Sequence, residues 1–322
     1  MENFISSAAQ GFNFRYTKIY RDKFGHICAT DQGLFRIQRA EGRGQPAPSA
    51  DSVVEKILFH HKIKEYLNEN GLMSDGFVIS AQGTPYFISG DEIFIATPAF
   101  AGPNANFADA DNFLVVVAHV ANMHQLLSQG NIIGGQSRAM FGNDVGRHME
   151  SLGSLKKKLL KSGKFSEFDM QFLRGYEKLA PHIATYVGTD DPLENDRYIC
   201  HNLLKEENIY YEDDRIILTN FSEAGRGHYL FDLAYLIKRH IKANPTEILS
   251  LDKVLEVYCA SHTSCDFDKS VFHHMLLYPD KFIKVATDYY SKKRSFAPKT
   301  YISRMEECLR TNDALLECIG LH

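Results

Sequence analysis

The stretch that most constrains this chain runs from Tyr198 to His240, YICHNLLKEENIYYEDDRIILTNFSEAGRGHYLFDLAYLIKRH. It reads as a short strand, a polar loop holding His201 and Asn208, a second strand from Arg215 to Thr219, a turn from Asn220 to Gly227, and then a helix. Such a succession delivers polar side chains to one mouth and follows them, at a fixed distance, with a helix carrying Asp232.

The chain around this stretch is ordinary. Its 322 residues suffice for one large or two modest domains, and its 44% apolar and 24% charged content is that of a water-soluble globular protein. A net charge of −4 and the lack of a Lys/Arg stripe argue against nucleic-acid and membrane partners. The N-terminus MENFISSAAQGFNF has neither the basic head nor the apolar core of an export signal, and no apolar run reaches the ~18 residues of a membrane span, so a cytoplasmic protein is expected. Cys28, Cys200, Cys259, Cys265, Cys308 and Cys318 are scattered with no CxxC pair. They are expected as reduced, mostly buried thiols rather than as zinc ligands.

From Gly11 to Arg39 apolar residues alternate with period two, through Phe12, Phe14, Tyr16, Ile27, Ala29, Phe35 and Ile37. Turn signals at Lys23–Gly25 and Asp31–Gly33 divide that run into an antiparallel meander. Gly42–Ser52 reads as a loop with Asp51 or Ser52 as helix N-cap. Val53–Asn70 has helical spacing and is closed by Gly71. Phe77–Ser80, Thr84–Ser89 and Glu92–Thr97 read as three more strands. The Gly/Pro/Ala-rich PAFAGPNANFAD, Pro98–Asp109, marks a boundary between a domain of residues 1–98 and one of residues 99–322. Beyond it, helices are expected over Ala110–Leu127, Arg147–Lys161, Glu167–Thr185, Pro245–Ser261, Lys269–Leu277, Pro279–Lys292 and Pro298–Ile319. The class is therefore α+β: a small antiparallel-sheet lobe with one helix, then a larger, mainly helical lobe.

Several segments together resemble the protein-kinase-like superfamily in its aminoglycoside/choline phosphotransferase branch. DQGLFRIQR (Asp31–Arg39) resembles the strand that ends in a phosphate-binding Lys, and EYLNENGL with QGTPYF resembles the helix and hairpin that follow. FIATPAFAGPN resembles the hinge, VAHVANMHQ the first large helix with its His at His124, ICHNLLKEENI the catalytic loop, and ILTNFSEAGRGHYLFDLAYLIK the metal loop and next helix. Within that branch the chain is most similar to CotS-type spore coat proteins. The resemblance implies a bilobal kinase-like fold, and it implies the roles considered next.

Phosphoryl transfer needs held phosphates, Mg²⁺, and an aimed hydroxyl, usually aimed by a carboxylate. The aiming Asp, two residues after His201, is Leu203, which can neither accept nor orient a proton. The second metal ligand is kept as Asn208, but the principal one, an Asp, is Asn220, and an amide is a poor replacement for an anionic oxygen. Glu223 lies three residues on, at a position that is commonly acidic in the family but is not the ligand. The phosphate-binding Lys is Gln38. Its partner Glu falls on His60 or His61, flanked by Glu55 and Glu65. Arg36 and Arg39 are not secure substitutes, and Gly25 stands alone where a glycine-rich loop would be.

His201 and Asp232 are expected to shape the loop rather than to react. His124 is expected as a core histidine, and Lys156–Lys158 as a solvated helix face. No catalytic residue and no metal site are expected. Gln38, Asn208, Asn220 and Glu223 remain as vestigial cofactor contacts, with weak ATP/Mg²⁺ binding as the alternative to no cofactor. The resemblance thus implies a catalytically deficient pseudokinase made in the mother-cell cytoplasm and deposited in the spore coat, with other coat or cytoplasmic proteins as partners. The alternative is a nucleotide- or small-molecule-binding phosphotransferase of the aminoglycoside/choline kinase type.

Overall fold

Three strands, β1 (Tyr16–Asp22), β2 (Gly25–Thr30) and β3 (Gly33–Arg39), form the antiparallel meander expected from the period-two pattern. The structure is a computed structural model and describes residues 2–22, 25–40, 49–135, 142–184, 198–247, 249–263, 265, 269–291 and 298–320. The Lys23–Phe24 turn signal and most of the Gly42–Ser52 loop lie outside these residues. The β2–β3 turn closes on itself: the Thr30 hydroxyl donates to the Gly33 carbonyl and accepts from the Gln32 amide, while Gly33 takes φ +123. With β4 (Phe87–Ser89) and β5 (Glu92–Pro98) the sheet has the order β1-β2-β3-β5-β4.

The chain divides into two units. The first comprises Met1–Ala105, Asn122–Gln136 and His201–Gly225, the second Asn106–Ala121, Ser137–Cys200 and Arg226–His322.

In the first unit, helix α1 (Glu2–Gly11), unforeseen in the sequence, supplies Ala8 and Ala9 to a core that includes Phe12, Phe14, Cys28, Ile37, Phe94 and Ala96. Phe12 and Phe14 therefore do not alternate within a strand. They lie in the connection before β1, with Phe14 stacked on Phe35 at 4.4 Å. Each such ring contributes roughly 1.5–3 kcal/mol by leaving water.

Phe77–Ser80 and Thr84–Tyr86 are likewise not strands. Val78 makes one backbone bond to Ala96, and Ser80 closes a turn onto Thr84, so no ladder develops. A hairpin of β7 (Ile209–Glu212) and β8 (Arg215–Leu218) also belongs here, turning through Asp213 and Asp214, both at positive φ, as a two-residue turn of that twist requires.

Helix α2 (Ala50–Glu69) is capped by Ser49, whose hydroxyl accepts from the Ser52 amide, instead of by Asp51 or Ser52. It ends at Asn70 before Gly71, which takes φ +83. Its buried residues Ile57, His60, Ile63, Lys64 and Leu67 follow the i, i+3, i+4, i+7 stripe of a core-facing helix, so a histidine and a lysine sit where apolar side chains would be routine. Both need partners there.

The second unit is helical. Most of α3 (Ala110–Gln129) is joined there by α4 (Gly142–Ser162), α5 (Glu167–Ala184), α6 (Leu230–Ala243), α7 (Leu251–Ser261), α8 (Lys269–Leu277), α9 (Asp280–Ser291) and α10 (Pro298–Cys318), with the short strand β6 (Tyr198–Cys200). Its core packs α4, α5, α9 and α10, with Phe168 stacked on Tyr289 at 3.8 Å and Phe172 on Phe282 at 5.7 Å. Helix α5 begins with a reciprocal cap in which Ser166 and Asp169 each accept the other's backbone N–H. Helix α7 starts at Leu251 because Ser250 caps it, not at Pro245. Cys259 and Cys265 are disulfide-bonded, which corrects the expectation of six thiols; they sit 5.4 Å apart at Cα, a separation a disulfide spans. Cys28, Cys200 and Cys308 are buried and form no disulfide. Among the described residues no helix is long and apolar enough to cross a membrane.

Candidate ligand cleft and its adjoining loop

A cavity of about 770 Å³ lies within the first unit. The stretches of chain that line it include β3 with Arg36 and Gln38, α2 with Lys56, His60 and Lys64, and the segment from Glu207 to Glu223, joined by His26, Asp75, Phe77 and the β5 residues Ile95 and Thr97. Gln38, Asn208, Asn220 and Glu223, predicted from sequence as vestigial contacts, are thus brought together on one wall system. Arg36 joins them because it lies two residues from Gln38 on a strand and therefore on the same face.

The loop between β6 and β7 is fixed from inside. His201 is 1% exposed; its Nε2 lies 3.0 Å from the Thr219 carbonyl and its Nδ1 accepts from the Leu203 amide at 3.2 Å. A carbonyl can only accept, so Nε2 carries the proton and both ring nitrogens are occupied. The imidazole is a strut between the loop and Thr219, the residue after β8. The Leu203 side chain presents no polar atom. Asn202, at φ +59, donates instead to the Glu223 carbonyl at 3.1 Å and ties the two loops together.

Asn208 and Asn220 face one another. Asn208 Nδ2 donates to the Leu203 carbonyl at 2.8 Å, which leaves Asn208 Oδ1 to accept Asn220 Nδ2 at 3.2 Å. The assignment is forced, because the Leu203 carbonyl cannot donate. Asn220 itself is left-handed, φ 60 and ψ 58, a conformation Asn tolerates better than most residues.

The polar residues of the α2 stripe find partners across the cavity. His60 Nε2 donates to the Ala224 carbonyl at 3.3 Å. Burial, helped by the charges of Lys64 and Lys56, lowers its pKa to about 3, so His60, one of the two positions (with His61) at which the resemblance implies a glutamate, holds a neutral imidazole. His61 pairs with Glu65 instead.

Lys64 Nζ lies 2.9 Å from Asp75 Oδ1, donates to the Asp75 main-chain oxygen at 2.9 Å, and sits 3.9 Å above the Phe77 ring. Asp75 Oδ2 accepts the Asn220 amide at 3.1 Å. Asp75 is held there because its segment docks on both neighbours: Asn68 Oδ1 accepts the Ser74 amide, and Leu218 exchanges backbone bonds with Met73 and Asp75. Burial lowers the Lys64 pKa, and Asp75 opposes that fall. The Lys64–Asp75 pair was missed in the sequence. Its one signal was a lysine inside the apolar stripe of α2.

The Gly/Pro connection after β5 runs beside β7. Tyr211 donates to the Pro103 carbonyl and Ala105 to the Ile209 carbonyl. A Cβ at Gly102 would stand 1.8 Å from the Tyr211 oxygen, so this approach requires glycine. In the second unit Asp232 is buried in the first turn of α6. Burial there pushes the Tyr258 phenol well above its usual pKa, with Tyr229 and then Asp232 adding to the effect.

No protein-family profile matches the chain, and no curated protein matches it. Solved structures do. An aminoglycoside phosphotransferase from Alicyclobacillus acidocaldarius superposes with a TM-score of 0.75 at 15% identity, over 98% of this chain and 94% of that one. An AMP-bound spectinomycin phosphotransferase gives 0.67 at 10% identity, over 99% and 98%. A choline kinase from Streptococcus pneumoniae gives 0.54 at 12% identity, over 97% and 99%. The fold is therefore the α+β kinase-like fold of the aminoglycoside/choline phosphotransferases.

Phosphoryl transfer employs Mg²⁺, and the cavity offers Glu207 and Glu223 as carboxylates beside Asn208, Asn220 and Asp75. Mg²⁺ demands hard, preferably anionic oxygens in near-octahedral array. The Asn208 oxygen is already hydrogen-bonded to an Asn220 NH₂, and Asp75 is engaged by Lys64 and the Asn220 amide. Among the described residues no group of three or more His, Cys, Asp or Glu side chains could hold a metal ion.

Proposed function

We propose that this chain is a kinase-like protein that binds a nucleotide or another small molecule in the cavity of its first unit and has lost phosphoryl transfer. The observation that carries the reading is the convergence of Gln38, Asn208, Asn220 and Glu223 on a cavity of about 770 Å³, a volume suited to a small molecule, beside a loop whose aiming position is Leu203. Its structural neighbours are phosphotransferases, one of them in an AMP-bound complex, which supports a ligand of this kind. Loss of a general base costs ~10²–10⁴-fold in rate, so Leu203 by itself accounts for a nearly silent site.

Thermal unfolding with ATP, ADP, choline and an aminoglycoside tests the reading. A ligand at about 100 times its Kd adds about 2.7 kcal/mol to stability. A shift with one of these, without turnover of a phosphoryl donor, is expected. Turnover at ordinary kinase rates, or no shift with any of them, overturns the reading.

The structural spore-coat role, with coat proteins as partners and a mother-cell cytoplasmic origin, rests on the resemblance of the sequence motifs. A fluorescent fusion that stays off the developing spore surface would dismiss it.

A further inference from the structure

We propose that Cys259 and Cys265 form a thiol–disulfide exchange site whose co-reactant is a dithiol reductant, and that opening the pair loosens the seat of His262 against Tyr229 at the start of α6. The site lies in the second unit and takes no residue from the cavity lining.

Two observations lead to it. The first is which sulfurs can be reached. Cys259 and Cys265 are each half-buried, whereas Cys28, Cys200 and Cys308 are buried. Burial also raises the thiol pKa of Cys28, Cys308 and Cys318, which keeps those sulfurs protonated and slow to exchange. The bridged pair is thus where an external thiolate meets sulfur. Cys259 stands in the last turn of α7, whose negative end disfavours a thiolate, while Cys265 lies beyond the helix. Cys265 is the better leaving group, so a reductant thiolate attacks the Cys259 sulfur. The bond between the two cysteines breaks, a mixed disulfide forms on Cys259, and Cys265 leaves as a thiolate that takes up a proton. The second reductant thiol loses its proton and attacks the reductant's sulfur in the mixed disulfide, releasing Cys259 to be protonated in turn. Two electrons and two protons have then passed to the protein, and the dithiol departs as its own disulfide.

The second is what the bridge holds. The two cysteines are only 6 residues apart in sequence, so the cross-link removes little entropy from the unfolded chain, and α7 is already fixed by its Ser250 cap and by buried Val254, Leu255 and Tyr258. What the bridge closes is the segment inside it. The His262 amide donates to the Tyr258 carbonyl and the Cys265 amide to the His262 carbonyl, both at 3.0 Å, and His262 is 0% exposed. Its ring lies 4.8 Å from that of Tyr229 and 5.7 Å from that of Tyr258. Tyr229 is the N-cap residue of α6 and meets Tyr198 of β6 edge-on at 4.8 Å. Reduction removes the covalent tie across this segment and makes its local opening easier, and the His262–Tyr229 contact carries the loosening to the first turn of α6.

Thiol alkylation of the folded full chain, read by peptide mass spectrometry, and amide hydrogen exchange together decide the matter. After exposure to oxidised dithiothreitol, Cys259 and Cys265 are expected to resist the label. Reduced dithiothreitol, without denaturant, should open both to it, and a return to the oxidised form should close them again. On reduction, exchange should quicken about threefold or more at His262 and at Leu233, whose amide donates to the Tyr229 carbonyl. Cys259→Ser/Cys265→Ser should show that faster exchange with and without the reductant. A pair that opens only in denaturant is a structural staple and overturns the exchange site, as does a pair that takes the label after oxidation. Opening that leaves exchange at Leu233 unchanged overturns the coupling to Tyr229.

Discussion

The side-chain amide of Asn220 donates to the amide oxygen of Asn208 across 3.2 Å, and this bond joins two residues that line the same cavity. Asn220→Asp turns that contact into two acceptors facing each other. The variant should lose about 1 kcal/mol or more in EDTA, the cost of a buried acceptor left unmatched. Mg²⁺ should return that stability to the variant while leaving the wild type unmoved. Thermal melts with and without Mg²⁺ read both effects, and a wild type that Mg²⁺ stabilises equally contradicts the account of the site.

Asp75 anchors the same loop from the other side. Both members of its pair with Lys64 are almost wholly buried. Asp75→Asn leaves an uncompensated lysine in the interior and should cost about 3–5 kcal/mol. Lys64→Met combined with Asp75→Asn should recover most of the loss. Urea denaturation of the two singles and the double gives the coupling energy, and additive losses would refute the pair's isolation from water.

Stability should fall in mild acid. Burial depresses His60 to about 3 and His119 to about 4, whereas both titrate near 6.5 in the unfolded chain. Between about pH 6.5 and 4 the unfolded state binds more protons, so stability declines as pH falls and is fully present above that window. Each histidine adds a slope of about 1.4 kcal/mol per pH unit. Denaturant midpoints from pH 7 to 4.5 should show it, and a His60→Asn/His119→Asn double variant should flatten the curve. An equally steep curve for that variant rules these histidines out as its source.

Gly102→Ala should destabilise by about 1–3 kcal/mol, because the added methyl would meet the Tyr211 oxygen within the first unit. Gly83→Ala, a contrasting change where open space surrounds the residue but φ is +75, should cost only the smaller backbone term of roughly 1 kcal/mol. Circular dichroism melts of the two variants compare them directly, and equal losses would remove close approach as the reason for glycine at 102.

Much of the loop around Tyr198 was legible because its information is local. His201, Leu203, Asn208 and Asn220 lie within twenty residues on a strand–loop–strand path, and of them Asn208 and Asn220 line the cavity. The helix stripes of α3, α8 and α10 were readable for a similar reason, their 3.6-residue period being carried within single segments. Local pattern misled where a segment lacked neighbours to pair with. Phe77–Ser80 has strand composition but makes isolated backbone bonds, and Phe12 and Phe14 alternate without being a strand.

By itself, then, the chain determined the α+β class, the kinase-like order of its elements, and the residue types at the loop, including Leu203 and Asn220. Only the tertiary structure decided how those residues are used. It set Asn220 against Asn208, Lys64 against Asp75, and Lys56 with His60 around the same cavity as Gln38. The reason is physical: period and spacing follow from bonds along the backbone, whereas the direction of an amide, the partner of a buried lysine and the protonation of a histidine depend on groups brought close only when distant segments fold together.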